Sequence, residues 1–131
     1  MINQGPRYRS GPEPGTTRHI LVVQHDHQEA LRTAQCIQQH GHLVACLTDA
    51  WDAADLVNRS PFDMVVVEWP HGKDVLNVLR GKQIDMEKTR VIILTSPSTV
   101  EQVIEAHEYG LGLVLSKPVR SDCWAKFVAA L

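Results

Sequence analysis

No apolar run in the 131 residues approaches the roughly 18 that a membrane span requires, and the N-terminus lacks the basic-then-apolar pattern of a secretory signal. Cysteine is scarce. Cys36, Cys46 and Cys123 make an odd count with no CxxC spacing and sit among apolar neighbours, so buried, reduced thiols are expected. That points to a reducing compartment and a cytoplasmic protein. Neither sign of charge dominates: the formal net charge of -2 supplies no basic field for nucleic acid and no polyacidic tail. Glycine is missing where a dinucleotide fold would need it, because "VVQHDHQEA" has none to let a phosphate approach the backbone. The composition therefore nominates neither nucleic acid nor a membrane as partner.

With 44% hydrophobic and 21% charged residues, the chain suits one domain with a core large enough to fold unaided. Residues 1–18, "MINQGPRYRSGPEPGTTR", are rich in proline and glycine and almost free of apolar side chains. They read as a flexible leader, ahead of a domain over 19–131. From there strand and helix alternate. "HILVV" is a strand; Asp26 to His40 is a helix with Ala30, Leu31, Ala34 and Ile37 on one face, closing at Gly41. "HLVACLT" is a second strand and Trp51 to Asn58 a short helix. "DMVVV" is a third strand, followed by a helix marked by Val75, Val78 and Leu79. "RVIILTS" is the fourth, and "STVEQVIEAHEYG" a helix with Ser98 as N-cap, Glu101 three residues on, and Gly110 at its end. "GLVLS" is the fifth strand, and Trp124, Phe127, Val128 and Leu131 line a closing helix at i, i+3, i+4, i+7.

The third strand, Met64 to Val67 and its flanks, lacks period-2 alternation, which suits a strand covered on both faces, as in a parallel sheet. Right-handed crossovers then give a three-layer αβα sandwich. In a flavodoxin-like order 2-1-3-4-5, chemistry gathers at the carboxyl ends of the strands, near the crevice between strands one and three. Those ends supply Gln24, His25 and Asp26 from strand one, Glu68 from strand three, Thr95 and Ser96 from strand four and Lys117 from strand five. No nucleophile, base and orienter can be assembled among them, so an enzyme is not expected.

Taken together, the strand-one turn, "FDMVVVE", the Thr95–Gly110 stretch and "SKP" (Ser116–Pro118) resemble a response-regulator receiver domain, over about Arg18 to Leu131. The resemblance implies a module that accepts a phosphoryl group on an aspartate in two-component signalling. It places Glu68 at the phosphoacceptor position and Thr95 and Lys117 at the positions that contact phosphoryl oxygens. It also exposes departures. The family's acidic pair, which holds magnesium, falls on Gln24 and His25, with Asp26 the one acid in that turn. "EWPHGKD" is shorter than the family's loop, with Pro70 as the remnant of its proline, and the family's switch aromatic falls on Val114.

Magnesium prefers hard oxygen ligands in octahedral array, usually with one or more carboxylates, and Gln24 and His25 bring no charge. A glutamate is one methylene longer than aspartate, and a misplacement of about 1 Å can cost roughly 100-fold. The expectation is a degenerate receiver without a cofactor, with weak or absent magnesium binding. Glu68 is expected within ion-pair distance of Lys117. Two competing readings are a working phosphorelay receiver with Glu68 or Asp26 as acceptor, and a small metal- or nucleotide-binding flavodoxin-like domain. His25, His27 and His71 are the candidate ligands of the metal variant. The surface that the family uses for contacts, its fourth helix, fifth strand and fifth helix, carries "YGLGLVLSKP" here. Tyr109, Leu111 and Leu113 make that edge apolar, which suggests a homodimer or a protein partner.

Overall fold

Strand and helix alternate through β1 (His19–Val23), α1 (His27–Gln38), β2 (Leu43–Leu47), α2 (Ala50–Arg59) and β3 (Met64–Glu68). The chain continues through α3 (Lys73–Gly81), β4 (Arg90–Thr95), α4 (Val100–Glu108), β5 (Leu113–Ser116) and α5 (Ser121–Ala129). This computed structural model describes residues 17–81, 89–96, 100–108 and 112–131. The expected cap Ser98, the helix end at Gly110, and Tyr109 and Leu111 lie outside those residues, as does the expected leader up to residue 16. Arg18, placed at the leader's end, is joined to the fold: its guanidinium donates to the Leu131 carbonyl at 2.9 Å and its carbonyl accepts from Leu43 N–H.

The five strands form one parallel sheet in the order β2-β1-β3-β4-β5, the flavodoxin-like topology that the alternation implies. Residues of each inner strand point alternately to the two faces, and both faces are covered. Ile20, Val22, Met64, Val66, Ile92 and Leu94 pack with Ala30, Ile37, Trp124 and Val128 of α1 and α5. Leu21, Val23, Val65, Val67, Val91 and Ile93 pack with Val57, Leu76, Leu79 and Ala106 of α2, α3 and α4. The uninterrupted apolar runs of β1, β3 and β4 follow from that double coverage.

Two expectations need correction. Leu31 is 40% exposed: α1 buries Ala30, Ala34 and Ile37, spaced i, i+4, i+7, and Leu31 lies about 100° around the helix from Ala30. The three cysteines are free but only half-buried, because Cys46 lies on the edge strand β2 and Cys36 and Cys123 on flanks of α1 and α5.

Gly112 enters β5 with φ +75°, a left-handed conformation that side chains disfavour. A Cβ there would lie 2.0 Å from the Val91 carbonyl oxygen. Only glycine lets β5 come against β4 at this point.

Candidate functional site

Parallel pairing brings the strand ends together, and the ladder runs one residue beyond them. Gln24 N–H donates to Leu47 O (3.2 Å), Trp69 N–H to Leu94 O (2.8 Å) and Lys117 N–H to Thr95 O (2.8 Å). The backbone on either side of Gln24, Glu68, Thr95 and Lys117 is thereby held in register, leaving their side chains to define the site.

Glu68 and Lys117 meet. The Lys117 ammonium donates to Glu68 Oε2 and, at 3.0 Å, to Glu29 Oε1. The other Glu68 oxygen accepts the His25 backbone N–H at 2.7 Å. Burial on its own would push the Glu68 carboxyl up, but the Lys117 hydrogen bond, the His25 amide and the neighbouring positive charge hold it below its ordinary value. Burial likewise disfavours the Lys117 ammonium, and its hydrogen bonds to Glu68 and Glu29 outweigh that and hold it above its ordinary value. Both Glu68 oxygens are thus engaged.

Glu29 is the residue that sequence reasoning missed. Asp26-x-x-Glu29 has the form of a capping box, in which the glutamate would turn back to the cap's own N–H. Asp26 does cap α1, accepting Glu29 N–H at 3.0 Å, and this bond is the main reason its carboxyl lies below the usual range. The Glu29 side chain instead reaches Lys117, 88 residues away in sequence. The acidic first turn of α1 was the available signal.

Gln24 is 2% exposed. Its amide oxygen accepts the Thr33 hydroxyl at 2.6 Å, and its Nε2 lies 3.5 Å from Glu29 Oε1. Thr95 is fully buried, and its hydroxyl donates to the Leu115 carbonyl at 3.3 Å. Val114 is half-buried against the core formed with α2, α3 and α4. The His25 ring is exposed and meets the His71 ring edge-on at 5.0 Å, and His71 Nε2 donates to Thr48 O at 2.5 Å. Burial pushes the Cys46 thiol up, away from nucleophilic character.

Magnesium, which the family resemblance implies, does not fit this donor set. Glu68 and Glu29 are both bonded to an ammonium, the Gln24 amide oxygen is occupied by Thr33, and Asp26 faces the helix amides. Among the described residues no group of three or more His, Cys, Asp or Glu is arranged to hold a metal ion, His25, His27 and His71 included. No helix among them is long and apolar enough to cross a membrane.

A sequence profile described as "Response regulator receiver domain" matches residues 20–128. The alginate biosynthesis transcriptional regulatory protein AlgB of Pseudomonas syringae pv. tomato is 33% identical over 105 residues, which are 79% of this chain and 23% of that protein. The sensory/regulatory protein RpfC of Xanthomonas campestris pv. campestris is 29% identical over 105 residues, 76% of this chain and 14% of that protein. The chain thus spans under a quarter of the length of these curated relatives. Among solved structures, the Francisella response regulator 1452 receiver domain superposes with a TM-score of 0.72 at 27% identity, covering 87% of this chain and 95% of that one. The chemotaxis response regulator CheY4 of Vibrio cholerae shares the fold with a TM-score of 0.72 at 19% identity, covering 88% of this chain and 98% of that one.

Proposed function

Because the chain belongs to the response-regulator receiver family of two-component signalling, whose domains are generally non-enzymatic modules that interact with other proteins, we propose that this one is a pseudo-receiver. It signals by protein contact without being phosphorylated. The observation that carries the reading is the Lys117 ammonium placed between Glu68 and Glu29, with the His25 amide on the remaining Glu68 oxygen. In phosphoryl transfer the metal neutralises the charge that develops, and positioning does most of the rest. Here a lysine is already shared between two carboxylates, and the nucleophile position is held on both oxygens. Incubation with acetyl phosphate and millimolar magnesium should leave the intact mass unchanged, and magnesium alone should leave the tryptophan fluorescence unchanged. A stable phosphate-mass adduct mapped to Glu68 or Asp26 would restore the phosphorelay reading.

The contact is assigned to the fourth helix, fifth strand and fifth helix, with a second copy of this chain or another protein as partner. Its support is exposed apolar surface: Val100 (71% exposed) and Ile104 (51%), one turn apart on α4, and Leu113 (40%) on β5, against which α4 packs. Natural edge strands are usually blunted by charge or proline, whereas β5 reads "LVLS". Leu113→Lys should shift any self-association, measured by light scattering across concentration, toward monomer while the circular dichroism spectrum stays that of the parent. Equal association of variant and parent removes this face as a homodimer contact.

A further inference from the structure

Beside the Glu68–Lys117 cluster the surface dips into a cavity of about 320 Å³ between α1 and the β5–α5 connection. Its floor is apolar: Leu94 and Trp124 are almost wholly buried, and Val119 packs against the same cluster. Its rim carries Glu29, Arg32 and Lys117. Lys117 is shared between Glu29, at 3.0 Å, and Glu68. Arg32, exposed on α1, makes no hydrogen bond or ion pair among the described residues. Asp26, which feels its charge, turns its carboxylate to the Glu29 amide instead. The Arg32 guanidinium is therefore the rim cation left open to a ligand carboxylate.

A concave, mostly apolar space with a few polar groups to one side is the usual form of a small-molecule site. We propose that this cavity binds a small organic anion, an aryl or branched-chain carboxylate, whose carboxylate pairs with Arg32 while its apolar body lies on Leu94, Val119 and Trp124. The planar guanidinium fork matches a carboxylate in two parallel hydrogen bonds. At about 30 Å³ for each water-sized unit, the space suits a ligand of about ten non-hydrogen atoms. Glu29 and Lys117 belong both to this rim and to the Glu68 cluster, so occupancy would bear on the cluster as a chemical input where phosphorylation is missing. That consequence rests on the pseudo-receiver reading; the occupancy itself does not.

Phenylacetate and its neutral counterpart phenylacetamide are suitable probes, titrated separately into the ¹⁵N-labelled full chain without magnesium or phosphoryl donor. Phenylacetate should produce saturable shifts at the Trp124 indole N–H and the Arg32 and Val119 amides. Phenylacetamide should bind about fivefold more weakly, the worth of one solvent-exposed charge pair. Arg32→Gln, a surface change that leaves the core untouched, should weaken phenylacetate by about the same factor and leave phenylacetamide unaltered. Shifts that fail to saturate or scatter over the surface, equal binding of the two probes, or indifference to Arg32→Gln would each overturn the site. Phosphorylation of Glu68 in the separate mass experiment would remove the signalling consequence and leave the binding result standing.

Discussion

Gly112→Ala is expected to lose about 3 kcal/mol or more of stability, a large share of the roughly 5–15 kcal/mol that keeps a typical domain folded. Two costs add. A side chain in the left-handed region costs about 1–2 kcal/mol by itself, and Gly112 has φ +75°. The added Cβ would also lie 2.0 Å from the Val91 carbonyl oxygen, 2.7 Å from its carbon and 2.8 Å from its Cβ. Backbone atoms cannot swing aside as the end of a flexible side chain does, so β5 would have to part from β4. Gly41 offers the internal control: its φ is +84°, yet a Cβ there meets nothing within 4 Å, so Gly41→Ala should carry the conformational cost alone. Urea unfolding midpoints for the two variants give the comparison. Equal losses would show that the approach of β5 to β4 is not a constraint.

Lys117→Met is expected to cost about 2–3 kcal/mol at neutral pH, and its deficit should shrink on acidification. Removing one partner of a fully buried ion pair costs about 3–5 kcal/mol. Here the Glu68 side chain is 14% exposed and that of Glu29 36%, so solvent screening reduces the figure. In the parent the Glu68 carboxyl is held below its ordinary 4.5 and the Lys117 ammonium above its ordinary 10.5. A depressed carboxyl stabilises the fold above 4.5, and that contribution is lost as pH falls through the folded value. A raised ammonium stabilises below 10.5, and that contribution is lost as pH rises through the folded value. The pair therefore works across the interval between 4.5 and 10.5. Without the ammonium, burial and the neighbouring Glu29 raise the Glu68 carboxyl, which then destabilises at neutral pH and relaxes as it takes up a proton. Urea unfolding at pH 7 and near pH 4.5, at low salt so that the pair is not screened, distinguishes the cases, and an identical deficit at both would show that Lys117 contributes packing rather than charge.

The strands were the most legible part of the chain. "HILVV", "DMVVV" and "RVIILT" carry almost no polar residue because helices cover both faces of the sheet at β1, β3 and β4, and a short apolar run without alternation, bounded by turn residues, is the mark of such a strand. The meeting of Glu68 with Lys117 was legible for a related reason: in an all-parallel sheet every carboxyl end lies on one edge, so strand-end residues converge whatever the loops do. Side-chain direction was less so. Glu29 has the spacing of a local cap partner, and only a lysine brought in from β5 draws it away. Leu31 reads as core from hydrophobicity, but the helix position faces water. The cysteines read as buried from their neighbours, and their partial exposure comes from the edge of the sheet and the flanks of helices, which composition does not encode.

The sheet that separates the two layers of side chains also separates them thermodynamically. Ile37 belongs to the layer under α1 and α5, Leu76 to the layer under α2 and α3, and the backbone of the strands stands between them. A void opened on one side has no direct route to be filled from the other, so truncations of Ile37 and Leu76 to alanine should sum when combined, as independent sites do. Two truncations within one layer, such as Ile37 and Val128, share neighbours and need not. The chain can thus vary the packing behind α2 and α3 and the packing behind α1 and α5 as two nearly separate traits, held to a common register by hydrogen bonds that neither set of side chains makes.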